Sequence, residues 1–442
     1  MADLQSSSGV APVARAARIA SLDVLRGVAV LGILLMNITG FALLPAAYSN
    51  PTVAGGATGP NLAAWITTTM LFEGTMRGIF SMLFGASIVL LTGRMADAGA
   101  GLETAEIYFR RMIWMLVFGF VHWALLLWYG EILFAYAICG LLLFAVRGIS
   151  PRVQLAAAFL LLAVSVASNA LDYRNALAEQ VAAQQVSAAT KAGKPADEKL
   201  QALAQKWETR VAEYKPTAKD NRAMIELHRG SYPQAVAKQW PFSFHFQWVG
   251  APYWLLFDMI PFMLLGMALL RFDVLSGNRP LGFYLALAAG GYGVGLPLNW
   301  IELQQELGSN FMVIAHVRSG VTYEISRLAM LFGHLGLILA IVRMGWLHGL
   351  QARLAAVGQM ALSNYVAQTL ICTFLFFGFG LDQYMRLERY QLYGVVALIW
   401  AAELVWSPIW LSHFRFGPLE WLWRSLTYVH RQPMRRPTPL PA

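Results

Sequence analysis

Apolar residues in this chain come in runs of about 20, separated by short polar stretches, without the polar face a soluble helix carries. A helix rises about 1.5 Å per residue, so such a run covers the roughly 30 Å of hydrocarbon in a bilayer. The runs predict ten membrane-spanning helices near residues 22–44, 62–93, 107–127, 131–147, 153–170, 248–271, 281–301, 321–342, 357–378 and 391–412. The second is too long for one perpendicular helix, and Gly74 followed by Gly78 marks where it breaks or tilts. The first ends in Leu44-Pro45-Ala46-Ala47, compatible with signal-peptide cleavage, but its length and the Asp23 and Arg26 of its first turns predict a retained helix. The fold class is an all-α polytopic membrane protein.

The Lys/Arg distribution orients these helices. With the N-terminus inside, the inside segments hold Arg15 and Arg18, then Arg94, Arg110 and Arg111, then Arg147 and Arg152, Arg271 and Arg279, Arg343 and Arg353. The last inside segment adds Arg415, Arg424, Arg431, Arg435 and Arg436. The short outside loops hold only Arg318, Arg386 and Arg389, and the loop from Pro45 to Asn61 has no charge. This asymmetry follows the positive-inside rule and places both termini in the cytoplasm. Composition agrees: 57% of residues are hydrophobic and 13% charged, against roughly 25% charged in a soluble domain. The net charge of +9 does not point to nucleic acid, because the basic residues form short clusters between apolar runs and suit contact with lipid headgroups. Cys139 and Cys372 each sit inside an apolar run and read as packing residues.

One long polar segment, residues 171–247, falls outside. Leu171 to Tyr214 is rich in Ala, Gln, Lys and Glu and predicts one or two solvated helices, separated near Gly193-Lys194-Pro195. Gln239 to Trp254 holds Trp240, Phe242, Phe244, Phe246, Trp248, Tyr253 and Trp254, which reads either as an aromatic belt or as an amphipathic lid over an external site. The chain then divides into a disordered cytoplasmic tail (1–20), an N-terminal five-helix half (21–170), the insertion (171–247), a C-terminal five-helix half (248–430) and a basic tail (431–442). Gly290, Gly291, Gly293 and Gly295 in the seventh span permit close helix contact and make a homodimer an expectation.

Ionisable groups within hydrocarbon are costly, so they mark a cavity, a pathway or a partner. On the outer side, Glu73 and Arg77 lie four residues apart and are expected to pair. His122 lies near the outer end of the third span and Glu131 opens the fourth. Asp258 precedes Pro261 in the sixth span, and Glu324 and Arg327 open the eighth, with His334 deeper. If these faces converge they line a polar pocket; alternatively they are structural ion pairs. On the inner side stand Asp23 and Arg26, the polar Ser363, Asn364 and Gln368 of the ninth span, and Glu420 and Arg424 after the last span. Those arginines suit either lipid headgroups or a phosphate-bearing donor. The sequence holds no HExxH, Walker loop or paired metal-ligand spacing, so no metal is expected.

Several segments resemble the YeiB-like membrane protein family. They are Ser21-Leu22-Asp23-Val24-Leu25-Arg26-Gly27, Phe72-Glu73-Gly74-Thr75-Met76-Arg77-Gly78 with the following Ile79 to Gly85, Gly358-Gln359-Met360-Ala361-Leu362-Ser363-Asn364-Tyr365, and Phe416-Gly417-Pro418-Leu419-Glu420-Trp421-Leu422-Trp423-Arg424. The last two resemble that family's C-terminal domain of unknown function. The Asp-x-x-Arg-Gly start of the first span is also similar to transmembrane acyltransferases, among them the lysosomal heparan glucosaminide acetyltransferase and the bacterial acyltransferase-3 group. That resemblance implies transfer of an acyl group from cytoplasmic acyl-CoA to an acceptor on the far side. The acetyltransferase's histidine after the first span has no counterpart, since residues 38–72 contain none, and His122 is the nearest outer substitute.

The resulting expectation is an acyltransferase in which Asp23, Arg26, Glu420 and Arg424 bind acyl-CoA and His122 or Glu131 acts as base. Glu73 and Arg77 join them in the catalytic group, with Arg77 stabilising developing charge. Asp258, Asn364, Gln368, Glu324 and Arg327 would bind a small-molecule, glycan or lipid acceptor. The rival expectation is a transporter or flippase using the same groups to hold cargo. A third is a membrane scaffold that binds partners through residues 171–247.

Overall fold

The computed structural model describes residues 19–250 and 254–436. Arg15 and Arg18 of the expected N-terminal tail, Tyr253 of the aromatic run, and the end of the expected C-terminal tail lie outside the described residues. Among the described residues the regular structure is helical, apart from one isolated bridge between Phe414 and Arg435. The first half comprises α1 (Ala20–Ala42), α2 (Gly59–Phe72), α3 (Thr75–Asp97), α4 (Glu103–Ala124), α5 (Leu133–Val146) and α6 (Pro151–Lys191). The insertion adds α7 (Glu198–Tyr214), α8 (Ala218–His228) and α9 (Tyr232–Val249). After a π-helical turn at Trp254–Met259 come α10 (Ile260–Arg271), α11 (Leu281–Gly308), α12 (Val313–Met344), α13 (His348–Gln359), α14 (Ala361–Phe376), α15 (Arg389–His413) and the short α16 (Pro418–Thr427).

Among the described residues, six stretches are long and apolar enough to cross a bilayer: α1, α2 and α3 taken together, α6, α11, α12 and α15. The helices α5 and α14 are apolar but only 14 and 16 residues long. The chain is an all-helical, polytopic membrane protein. Its axis is α1, which packs against α3, α13, α14 and α15. Of the most apolar window of α1, 78% is buried, against 22% for α6 and for α11, so a similar hydropathy serves a core in one case and a lipid-facing wall in the others.

Several spans differ from the sequence pattern in their ends. The long second run does break: α2 stops at Phe72, Gly74 takes φ 68°, and α3 starts at Thr75. The run at 248–271 is not one helix, because Pro261 lacks the N–H a helix interior needs and sits instead in the first turn of α10. The run at 357–378 begins inside α13 and is interrupted at Met360. By contrast, α6 passes residue 170 without a break and carries the chain directly into the insertion.

Hydrogen bonds tie the two ends of the bundle separately. At the end where α1 starts, Ser21 Oγ donates to Leu275 O (2.9 Å), Arg271 donates to Ile149 O (2.8 Å) and Arg110 donates to Thr427 O (3.0 Å). This is the basic end. At the opposite end, Asn50 donates to Tyr214 O (3.2 Å), Gln239 to Leu127 O (3.2 Å) and the Met385 amide to Ala42 O (2.9 Å). This is the insertion end. Arg210 clamps α7 to α6 through Asp172 (2.9 Å) and Glu179 (3.0 Å). Along α9, Trp240, Phe244 and Trp248 form an exposed stripe, whereas Phe242 and Phe246 pack on Tyr129.

Close helix crossings rest on glycine. An added Cβ on Gly266 would lie 1.8 Å from the Met82 carbonyl oxygen, and one on Gly85 would lie 2.0 Å from that of Met263, so α3 and α10 touch backbone to backbone. In α11 the expected glycine face splits: Gly291 and Gly295 meet α12, while Gly290 and Gly293 face open space.

Two outcomes follow for stability. Gly266→Ala should lower the melting temperature in detergent, at a cost of about 1–3 kcal/mol from overpacking, whereas Gly290→Ala should be neutral or stabilising. Equal effects of the two would remove the backbone-contact account. His228 is stacked flat on Tyr384 (3.7 Å between centroids, 7° between planes), and burial pushes its pKa down to about 4. Its unfolded value is near 6.5, so the stabilisation is complete above that pH and is lost as pH falls towards 4. Melting curves of the natural protein should therefore shift down between pH 7 and 4.5 by more than those of His228→Phe.

Candidate functional site

The break between α2 and α3 decides which charges meet. Because Gly74 interrupts the helix, Glu73 and Arg77 do not share one helical face, and the expected pair between them does not form. Arg77 instead makes a two-point ion pair with Asp258, 2.6 Å from Nε to Oδ2 and 2.8 Å from Nη2 to Oδ1. Oδ1 of Asp258 is also met by Arg327 Nη1 at 2.5 Å, and Arg327 lies 3.5 Å from Glu324. Arg327 also donates from Nε to the Gly74 carbonyl (3.0 Å) and lies over the Phe262 ring at 4.4 Å. A Cβ on Gly74 would sit 2.8 Å from that Nε, so glycine is needed for both its φ and its contact. One carboxylate thus binds two arginines from helices on either side of it.

Two cavities flank this region. One, of about 370 Å³ at the insertion end, is lined by Glu73, Arg77, Glu131 and the tyrosines Tyr48, Tyr129 and Tyr323, with Phe246 and Gln247 of α9 over it. The Glu73 carboxylate makes no hydrogen bond or ion pair among the described residues. The second cavity, of about 280 Å³, lies at the basic end and is lined by Arg26, Arg94, Arg111 and Arg424 against Asp23 and Glu420. Arg26 is held by Asp23 (2.9 Å), and Arg111 lies flat on Trp423 (3.6 Å) with no carboxylate partner among the described residues. Arg111 lies close enough to Arg424 and Arg26 to be repelled by both, an arrangement that a bound anion relieves.

The floors of the two cavities nearly meet. Ala135 lines one and Tyr136 the other; Arg77 lines one and Phe80 the other. Three residues along a helix span about 4.5 Å. Tyr136 is part of the partition between them, on the basic side: its ring packs on Phe80 and Phe84, its hydroxyl bonds to Ser81 Oγ (2.6 Å), and the same hydroxyl lies 3.5 Å from the Arg77 carbonyl.

The sequence-predicted residues distribute around this frame. Glu131 reaches the insertion-end cavity, yet its carboxylate also accepts the Leu133 and Phe134 amides (2.9 Å for the latter) and so caps α5. His122 lines neither cavity; it is buried behind Glu131, 3.6 Å away, with Nε2 2.8 Å from Thr369 Oγ1. Glu420 borders the basic cavity, but its oxygens accept the Leu362 amide (2.7 Å), the Ser363 amide (3.0 Å) and the Ser363 hydroxyl (2.5 Å), which dock α16 on α14. Asn364 and Gln368 lie apart from both cavities in a buried seam between α14 and α15, bonded to Ser407 (3.0 Å) and Glu403 (3.1 Å). His334 bonds to the Tyr292 hydroxyl (3.0 Å). Sequence reasoning passed over Arg94 and Arg111 as topology markers, and missed Tyr136 and Glu403. Among the described residues, no cluster of three His, Cys, Asp or Glu is placed to hold a metal.

Comparison with known proteins sets this arrangement in a family. The family model described as "Protein of unknown function (DUF418)" matches residues 269–430. The uncharacterised protein YeiB of Escherichia coli K12 is 32% identical over 429 residues, covering 92% of this chain and 95% of that protein. The uncharacterised protein YxaH of Bacillus subtilis 168 is 27% identical, covering 98% and 99%. An uncharacterised 39.9 kDa protein in the amylase 3' region of Bacillus acidopullulyticus is 26% identical, covering 96% and 97%. No solved structure matches the chain. The chain belongs to the YeiB family, with its DUF418 region in the C-terminal half.

The shared carboxylate makes a clear stability prediction. Asp258→Asn removes the anion that the buried Arg327 and the half-buried Arg77 share, which costs about 3–5 kcal/mol. It should lower detergent stability far more than Glu324→Gln, whose partner Arg327 retains Asp258. Comparable melting temperatures for the two variants would show that Asp258 is not the keystone.

Proposed function

We propose that this YeiB-family protein crosses the bacterial cytoplasmic membrane ten times, with both termini inside, and transfers an acyl group from cytoplasmic acyl-CoA to an acceptor on the outer side. The observation that carries the reading is the proximity of a basic cavity to the one that holds Glu73: Tyr136 lines the first and its chain neighbour Ala135 lines the second. In this reading the phosphates of the donor rest on Arg26, Arg111 and Arg424 at the cytoplasmic mouth. Guanidinium groups suit them because they bind phosphate in a two-point fork. The pantetheine arm runs inward along Phe80, Leu133 and Tyr136, so its thioester carbonyl reaches the partition.

The chemistry is balanced with the groups at hand. The Glu73 carboxylate takes the proton from an acceptor hydroxyl or amine as that atom attacks the thioester carbonyl carbon. The C–S bond breaks, and the CoA thiolate leaves towards the cytoplasm and takes up a proton there. Arg77, fixed by Asp258, lowers the cost of the oxyanion formed in between. His122 and Glu131 are assigned a positioning role, since Glu131 holds the N-terminus of α5 on which Tyr136 sits.

A transporter is the second reading, and one observation favours it. The interrupted helix at Gly74 and the π-turn at Trp254–Met259 face each other across the Arg77–Asp258 pair, and paired interruptions beside buried charges suit a substrate pathway.

Titration of the detergent-purified protein with acetyl-CoA separates the two. Acyl transfer expects saturable binding that Arg111→Ala weakens roughly ten- to hundredfold, the worth of one charge-assisted hydrogen bond at about 1.5–3 kcal/mol. It also expects slow thioester hydrolysis, with water as the surrogate acceptor, that Glu73→Gln abolishes while acetyl-CoA still binds. No saturable binding of acetyl-CoA, or hydrolysis unchanged in Glu73→Gln, would sink the transferase.

A further inference from the structure

A third cavity, of about 650 Å³, lies at the insertion end and shares Glu73 and Tyr323 with the one already described. Unlike that one, it is walled partly by the insertion: Asp172 comes from the extension of α6, and Arg210, Glu213 and Tyr214 come from α7. The opposite wall is formed by Glu302 and Glu306 of α11 and His316 of α12, with Trp65 of α2 beside them.

Its charge is unbalanced. Five carboxylates line it (Glu73, Asp172, Glu213, Glu302 and Glu306) against two guanidinium groups, Arg210 and Arg327. Neither arginine is free to neutralise the rest, because Arg210 is held between Asp172 and Glu179, and Arg327 is held by Asp258. Glu302 and Glu306, four residues apart on α11, present like charges on one face, which is unfavourable without a cation between them. Glu302 accepts the Thr322 hydroxyl (2.5 Å), and one Glu306 oxygen lies 3.1 Å from His316 Nδ1.

A second observation is independent of the charge. Three lining residues carry a buried polar atom without a hydrogen-bond partner among the described residues: the Trp65 indole N–H, the Tyr214 hydroxyl and the other Glu306 oxygen. These residues are 3%, 7% and 8% exposed. Native proteins leave few such atoms without a partner, and three around one cavity call for a ligand with polar groups of its own. Tyr214 is stacked on His316 (4.6 Å, 19°), so the wall beside the carboxylates is aromatic and suits a cation.

We propose that this cavity binds a small protonated amine. A metal ion fits less well, since no three carboxylate or imidazole groups converge on one point among the described residues. A quaternary ammonium has no N–H to give to Glu302 and Glu306, whereas a primary ammonium has three. The insertion on this reading is the selective wall of a cation vestibule, placed so that Glu73 joins the amine site to the neighbouring cavity. The inference stands apart from acyl transfer, because the amine is recognised without any donor present.

The test is calorimetric titration of the full-length, detergent-purified protein at pH 7 with putrescine and ethanolamine, and separately with 1,4-butanediol and ethylene glycol. Saturable binding of the amines but not the diols is expected, weakened by added salt because charge attraction is screened. The double variant Glu302→Gln with Glu306→Gln should bind the amines at least tenfold more weakly. Glu213 is exposed at the rim, so Glu213→Gln keeps the fold and should weaken binding about threefold even if the double variant does not fold. Amines that fail to bind, diols that bind as well, or affinity unchanged in Glu213→Gln would each overturn the proposal.

Discussion

The position of Asp258 between Arg77 and Arg327 is the constraint from which the rest of the insertion-end architecture follows. Two guanidinium groups in the interior of a membrane bundle are tolerable only where an anion and further acceptors meet them. Asp258 supplies the anion, and the Gly74 carbonyl, which also accepts the Gly78 amide (2.9 Å), supplies one of the acceptors. The break is tied to the charge through direction: without the turn at Gly74 (φ 68°) the chain would carry Arg77 to another face. The π-turn that carries Asp258 is the corresponding irregularity on the other side. Irregular backbone at membrane depth survives where protein groups or a cavity satisfy it, and both interruptions border the same ion network.

This interdependence explains which parts of the molecule were legible in the sequence. The runs of apolar residues identified a polytopic membrane protein because length and hydropathy are local properties. The interruption at Gly74 was legible for the same reason. The pairing of Glu73 with Arg77 was not, since that expectation assumed a continuous helix, and the true partner of Arg77 lies 181 residues away. Arg26 and Arg424 were legible as one basic cluster because both flank spans on the side richest in arginine. Arg111 was passed over because an arginine at a helix end already has a topological explanation. Only its position on Trp423, with no acid beside it, distinguishes it. Similarly, His122 drew attention as a residue type, yet sequence could not show that it stands behind Glu131 rather than in a cavity.

The two ends of the bundle use polar residues differently. At the basic end, arginines border an open cavity, and the one acid of α16 is consumed in docking that helix to α14. At the insertion end the carboxylates predominate, and the arginines are the groups already consumed. The sign of charge that predominates in the lining is thus opposite at the two ends. A protein built only to hold its helices together has no need of this separation, because paired charges alone would serve.

The partition between the cavities is where transport and transfer make different demands. A transported solute must pass it whole, so the barrier has to open by more than the width of a side chain and close again behind the cargo. A transferred acyl group needs only that two reacting atoms come within van der Waals distance. Tyr136 is fixed by Ser81 and by two phenylalanine rings, and it rides on α5, whose first turn is held by Glu131. Widening a passage there would break that hydrogen bond, unstack the rings and uncap the helix together. The way Tyr136 is anchored therefore weighs against movement of a whole solute past it.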